Sequence, residues 1–149
     1  MSYTQSYYHI VLRTKYSQKS ISQTNVSELY RYIWGIIKNK KCKLYRINGI
    51  EDHIHLLISL HPSIALSDFV KDIKIATHYW MRKRDDFKQF NGWCVGYGAF
   101  TCGYRDRMKV IKYIANQQKH HNKESSKDEI VRIIKEAGID VDDNDAFLR

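Results

Sequence analysis

The sequence predicts an α+β fold, an antiparallel sheet in the order β-α-β-β-α-β with helices on one face, followed by a late helix. Three observations carry this. Residues 7–16 and 53–60 alternate their side chains with period two, as strands with one buried face do. Residues 26–37 and 66–81 repeat apolar side chains at helical spacing. The short stretch Gly49-Ile50-Glu51-Asp52 joins two strand-like segments closely enough to make them an antiparallel hairpin.

In chain order, the first strand runs from Tyr7 to Tyr16, with Tyr8, Ile10 and Leu12 on one face and His9, Val11, Arg13 and Lys15 on the other. A polar turn, Ser17 to Thr24, precedes a helix built on Val26, Leu29, Tyr30, Ile33, Ile36 and Ile37. That helix ends in Lys38-Asn39-Lys40-Lys41, a favourable charge for a helix C-terminus and one available to phosphates. Leu44–Ile50 is the second strand. The third sends Ile54, Leu56, Ile58 and Leu60 one way and His53, His55, Leu57 and Ser59 the other. A second helix carries Leu66, Phe69, Val70, Ile73, Thr77, Trp80 and Met81 on its inner face, with Ser67 as its expected N-cap and Lys71, Lys74, Arg82 and Lys83 outside. The fourth strand falls on Trp93-Cys94-Val95 or on Ala99-Phe100-Thr101, its limits blurred by Gly96, Gly98 and Gly103. This order is the ferredoxin-like arrangement. In RRM-like domains its free sheet face is a nucleic-acid platform, and here that exposed face would carry His53 and His55.

With 149 residues, 43% hydrophobic and 13% aromatic, the chain can bury one proper core. Its apolar runs are too short to span a bilayer, and Met1-Ser2-Tyr3-Thr4-Gln5 lacks the features of a signal peptide. Cys42, Cys94 and Cys102 are scattered and odd in number, which suits a reducing cytoplasm. The net charge of +9 is uneven: residues 122–149 hold five Lys/Arg against eight Asp/Glu, leaving 20 against eight in residues 1–121. A basic body with 11 tyrosines and three tryptophans suits single-stranded nucleic acid, which needs cations for its phosphates and flat surfaces for its bases. Arg13, Lys15, Lys38, Lys40, Lys41, Lys71 and Lys74 are the candidates for phosphate contact.

Two constellations carry chemistry. His53 and His55 leave one face of one strand with Cα atoms about 6.5–7 Å apart, so a divalent ion can sit between their rings. By spacing alone, a half-buried structural pair is the simpler reading. The second constellation lies on a helix expected from Arg107 to His121. Met108, Ile111, Ile114 and Ala115 share one side, and Tyr113, Asn116, Gln117 and His120 the other. Tyr113 thus sits off the apolar face, with Gln117 one turn later pointing the same way. An ion held by His53, His55 and the Gln117 oxygen could polarise a phosphate for attack by a phenol, otherwise a poor nucleophile at neutral pH. Taken alone, Tyr113 is more simply an exposed tyrosine on a polar face.

His53-Ile54-His55 with Asp52 before it, the stretch Gly96-Tyr97-Gly98-Ala99-Phe100, and Tyr113-Ile114-Ala115-Asn116-Gln117 followed by His120-His121 resemble the single-tyrosine HUH transposases of small bacterial insertion sequences. They also resemble the relatives that act on repetitive palindromic elements. The likeness covers about residues 7–121. It implies cleavage and rejoining of single-stranded DNA near hairpins at element ends. Tyr113 would hold the 5′-phosphate, and His53, His55 and Gln117 would bind Mg²⁺ or Mn²⁺. It implies no nucleotide cofactor, in keeping with the lack of a phosphate-binding Gly-rich loop, and a homodimer in which one chain's tyrosine helix can complete the other's site. Residues 1–121 would then form the catalytic domain. Residues 122–149 would follow as a short helix on Ile130, Ile133, Ile134 and Ala137, ended by Gly138, and a solvated acidic tail, Asp140 to Asp145. Two alternatives remain beside this one: a domesticated relative that processes chromosomal palindromes, and a non-catalytic single-stranded nucleic-acid-binding module.

Overall fold

Ile10 and Leu12 of the first strand and Ile54, Leu56 and Ile58 of the third point to one side of a sheet, and that side is the core. The computed structural model describes residues 2–149. Its four strands are β1 (Tyr7–Arg13), β2 (Lys43–Ile50), β3 (His53–Ser59) and β4 (Gly98–Cys102), in the spatial order β2-β3-β1-β4 with every pair antiparallel. Two helices, α1 (Val26–Asn39) and α2 (Leu66–Arg82), cover the core side. Leu29, Ile33 and Ile37 come from α1, and Phe69, Val70, Ile73 and Met81 from α2, all buried as their helical spacing requires. The ferredoxin-like α+β fold is therefore present, with the hairpin β2–β3 turning at Glu51–Asp52. Gly49 is needed there: a Cβ would lie 2.2 Å from the His53 carbonyl oxygen.

Local boundaries differ from expectation for identifiable reasons. β1 stops at Arg13, because Tyr16 and Ser17 adopt left-handed backbone angles (φ 57° and 55°) in a single turn. Ser67 is not the cap of α2. The helix starts at Leu66 after an extended Ala65, which leaves Ser67 inside the first turn. β4 takes the later of the two expected stretches, while Trp93 makes only an isolated bridge to Thr14. The late helix is not continuous: α3 (Arg107–Ala115) and α4 (Gln117–His120) are separated at Asn116, whose φ of −100° and ψ of 20° lie outside the helical range.

The largest departure concerns the second sheet face, which is not free. Ile114 of α3 packs there on Tyr7 and Leu57. A further helix, α5 (Ser126–Glu136), brings Ile130 onto Val11 and Cys94, together with Phe147 and Leu148 from the chain end. The acidic side chains from Asp140 to Asp145 are exposed as expected, but the end they lead to is anchored. Phe147 and Leu148 are buried, and the Arg13 guanidinium donates to the Phe147 carbonyl at 2.7 Å. Among the described residues no helix is long and apolar enough to cross a membrane.

Candidate metal and tyrosine site

β3 is an interior strand, with His53 opposite Arg13 and Ile50, and His55 opposite Val11 and Asn48. Its period-two alternation, which sends Ile54 and Leu56 into the core, aims both imidazoles at the face covered by α3 and α5. Contrary to the expected exposed platform, His53 and His55 are 0% exposed. Each ring is oriented from behind. His53 Nδ1 donates to Asp52 Oδ1 at 2.7 Å, and that carboxylate also accepts from Ser126 Oγ at 2.9 Å. His55 Nδ1 meets His9 Nε2 at 2.8 Å.

The break after α3 positions the third group. Asn48 of β2 donates to the Ile114 and Ala115 carbonyls at 3.0 and 3.2 Å, serving carbonyls that a helix end leaves without partners. Past this point Gln117 turns inward and is fully buried, with Oε1 3.2 Å from His53 Nε2. Tyr113 stays half-buried on α3, stacked on His120 at 4.5 Å between centroids and facing the edges of His9 and His55 at about 6 Å. Tyr113, Gln117, His53 and His55 thus meet in one place within a single chain.

Glu129 of α5 stands at the centre, also 0% exposed. Its Oε1 lies 3.1 Å from the Nε2 atoms of His53, His55 and His121. Its Oε2 accepts from Gln117 Nε2 at 2.9 Å and from the Tyr113 hydroxyl. Arg132, one turn along α5, donates to the same phenol oxygen at 2.9 Å while paired with Glu124. Glu129 was not foreseen, although it sits on the flank of α5's apolar stripe, one turn before Ile133. An acidic residue at such a position is a sequence signal for a buried partner.

The charges follow from this packing. Burial works against the Glu129 carboxylate, but bonds to His121, His53 and His55 hold it far below the usual carboxylate range. Burial also works against a charged His53, yet Asp52 and Glu129 outweigh it and raise the group to about 9. For His55 burial prevails and lowers it to about 4, and for His9 to about 3. Burial, reinforced by Glu129, pushes the Tyr113 phenol above its ordinary value of 10, with Arg132 opposing. In this arrangement Tyr113 is a protonated phenol that donates to the ionised Glu129 carboxylate.

His53, His55 and Glu129 place one donor atom each within 4.8 Å of one another, and could hold a divalent ion. With the Gln117 oxygen, the set mixes imidazole nitrogen with oxygen. Such a mixed set is compatible with a divalent metal ion.

The expected phosphate contacts divide. Lys15, Lys38, Lys41 and Lys71 are exposed. Lys40 is paired with Asp72, and Lys74 donates to the Cys94 and Gly96 carbonyls at 2.8 and 2.5 Å. Arg13 is not on the surface at all. It is 2% exposed and spends its guanidinium on the Phe147 carbonyl and Ser17.

Known proteins resemble this chain over most of its length. The family described as "Transposase IS200 like" matches residues 2–117. The ISDra2 transposase TnpA of Deinococcus radiodurans is 27% identical over 122 residues, 78% of this chain and 85% of that protein. The transposase for insertion sequence element IS200 of Salmonella typhimurium is 28% identical over 120 residues, 74% of this chain and 75% of that one. In fold, the chain is similar to a REP-associated tyrosine transposase bound to a REP hairpin, with TM-score 0.62 and 13% identity over 81% of this chain and 72% of that one. A crystal structure from Deinococcus radiodurans R1 matches with TM-score 0.56 and 22% identity, covering 78% of this chain and 93% of that one.

Proposed function

The chain belongs to the IS200-like transposase family, a family of DNA-cleaving enzymes, and we propose that it cuts and rejoins single-stranded DNA beside hairpins through a 5′-phosphotyrosine on Tyr113. The observation that carries this reading is the convergence of Tyr113 with His53, His55 and Gln117, all within the family-matched residues.

Tyr113 Oη attacks the scissile phosphorus, the P–O3′ bond breaks, and the strand leaves with a free 3′-hydroxyl. The phenol proton must depart as the new ester forms, and the Glu129 carboxylate that now accepts it is the nearest base. Arg132, donating to the same oxygen, favours negative charge on it. Rejoining is the reverse: a 3′-hydroxyl attacks the phosphotyrosine and the phenol leaves. The exchange conserves bond energy and needs no nucleotide. His53, His55 and Gln117 would hold Mg²⁺ or Mn²⁺, which when bound polarises the phosphate and offsets charge in the transition state. Asp52 and His9 keep the two imidazoles turned toward that place. These donors are fully buried beneath α5, which closes them to a phosphate in this arrangement.

The reading includes a homodimer, with Tyr113 acting in its own chain or in its partner's. Exposed Lys15, Lys38, Lys41 and Lys71 would track the DNA backbone. The test is a covalent protein–DNA band formed on hairpin-bearing single strands with Mg²⁺ or Mn²⁺. Tyr113→Phe should abolish the band and leave DNA binding intact. A band that persists in this variant would remove Tyr113 as the nucleophile.

A further inference from the structure

Beyond the His53–His55–Gln117 set, and resting on the metal reading, we propose that His121 and Glu129 are also ligands, so that the chain closes its own metal shell with residues outside the family-matched segment. The reasoning begins behind the rings. A carboxylate only accepts, so His53 must carry hydrogen on Nδ1 toward Asp52. His121 Nδ1 faces the Glu124 carbonyl at 3.1 Å, another pure acceptor, and must carry hydrogen there too. His55 Nδ1 can donate to His9 Nε2 in the same sense. With these tautomers, each neutral imidazole turns a lone pair inward from Nε2.

The two oxygens follow suit. Gln117 donates its amide nitrogen to Glu129 Oε2, which turns its own Oε1 toward His53 and His121 at 3.2 Å. Glu129 Oε1 meets the three imidazole nitrogens at 3.1 Å. Five acceptor atoms thus converge in a buried space. Without an ion, protons on the imidazoles face Glu129; a divalent cation among these five atoms would take their place. The five separations from Glu129 Oε1 and Gln117 Oε1 to the imidazole nitrogens are 3.1–3.2 Å, close to the roughly 3.0 Å between neighbouring ligands of an ion with bonds of about 2.1 Å.

The consequence is that an ion would fasten α5 to the sheet, because two of its five ligands flank or lie on that helix. The experiment strips the full-length protein with EDTA and titrates Mn²⁺ by calorimetry. Amide exchange over residues 121–136 is followed in parallel. In the native protein Mn²⁺ should slow exchange in that segment. Glu129→Gln and His121→Gln should each weaken Mn²⁺ binding by about tenfold or more, as His53→Ala does. His121 is only partly buried, so its variant decides the matter even if Glu129→Gln fails to fold. Native-like Mn²⁺ affinity in His121→Gln, with affinity lost in His53→Ala, would confine the site to the matched residues and overturn the proposal. Failure of the native protein to bind Mn²⁺ would overturn the metal reading itself.

Discussion

The family-matched body, residues 2–117, and the C-terminal segment beyond it are held in different ways. The body rests on a broad apolar core between one sheet face and two helices, and it carries most of the basic surface. The segment carries more acid than base. It sits on the other sheet face through a small apolar patch of Ile130, Phe147 and Leu148, and through polar bonds from Glu129, Arg132 and the Phe147 carbonyl. Apolar burial scales with the area removed from water, which is large in the body and small in the segment, whereas a buried polar network holds only while its members stay paired. The body therefore provides a rigid frame for His53, His55 and Tyr113. The segment covers the His face with fewer apolar contacts, and is therefore expected to open before the frame does.

The comparison is most sharply tested from the core side. Phe69→Ala empties a fully buried position and should lower global stability by about 3–5 kcal/mol, read from the midpoint of chemical unfolding. Phe147→Ala removes a side chain that is nearly as buried, but in the segment. It should speed amide exchange across residues 126–148 about tenfold or more while moving the main unfolding transition by less than about 1 kcal/mol. If Phe147→Ala instead shifted one common transition as far as Phe69→Ala does, body and segment would be a single cooperative unit.

A smaller effect is expected from pH. His9 is held neutral by burial, with its folded value at about 3 against 6.5 when free. The unfolded chain therefore binds a proton that the folded chain refuses between those values. The stability His9 contributes is complete above about pH 6.5 and is lost as pH falls toward 3, by about 1.4 kcal/mol per pH unit at most. In EDTA, His9→Asn should flatten this part of the stability–pH curve, and an unchanged slope would count against the assignment. The smallest effects belong to the surface. Lys38→Ala and Lys71→Ala should weaken DNA binding evenly across sequences and each reduce the salt slope by about one, whereas Asp142→Asn and Asp143→Asn should leave it unchanged.

Much of the frame was legible in the residues. Period-two spacing in β1 and β3, helical spacing in α1 and α2, and a hairpin too short for any other connection leave few arrangements open. The motif residues His53, His55, Tyr113 and Gln117 were legible too, and the structure brings them together. Less legible were the features that depend on partners far along the chain. The helix break at Asn116 is supported by Asn48, 68 positions earlier, and nothing local to Arg107–His121 announces it. Arg13 reads as a surface cation because its partner, the Phe147 carbonyl, lies 134 residues away. Ser67 has the chemistry of a cap, but the extended residue before the helix proved to be Ala65.

By itself, then, the sequence determined the strand faces, the two core helices and the direction of both imidazoles, because side-chain alternation and helical periodicity are local properties of the backbone. Only the tertiary structure decided that the His face is covered, that α5 does the covering and that Glu129 lies among three imidazoles. A carboxylate gains its place there through long-range contacts that compensate its burial; its position on the flank of α5 signals a buried partner, but the neighbouring residues do not say which.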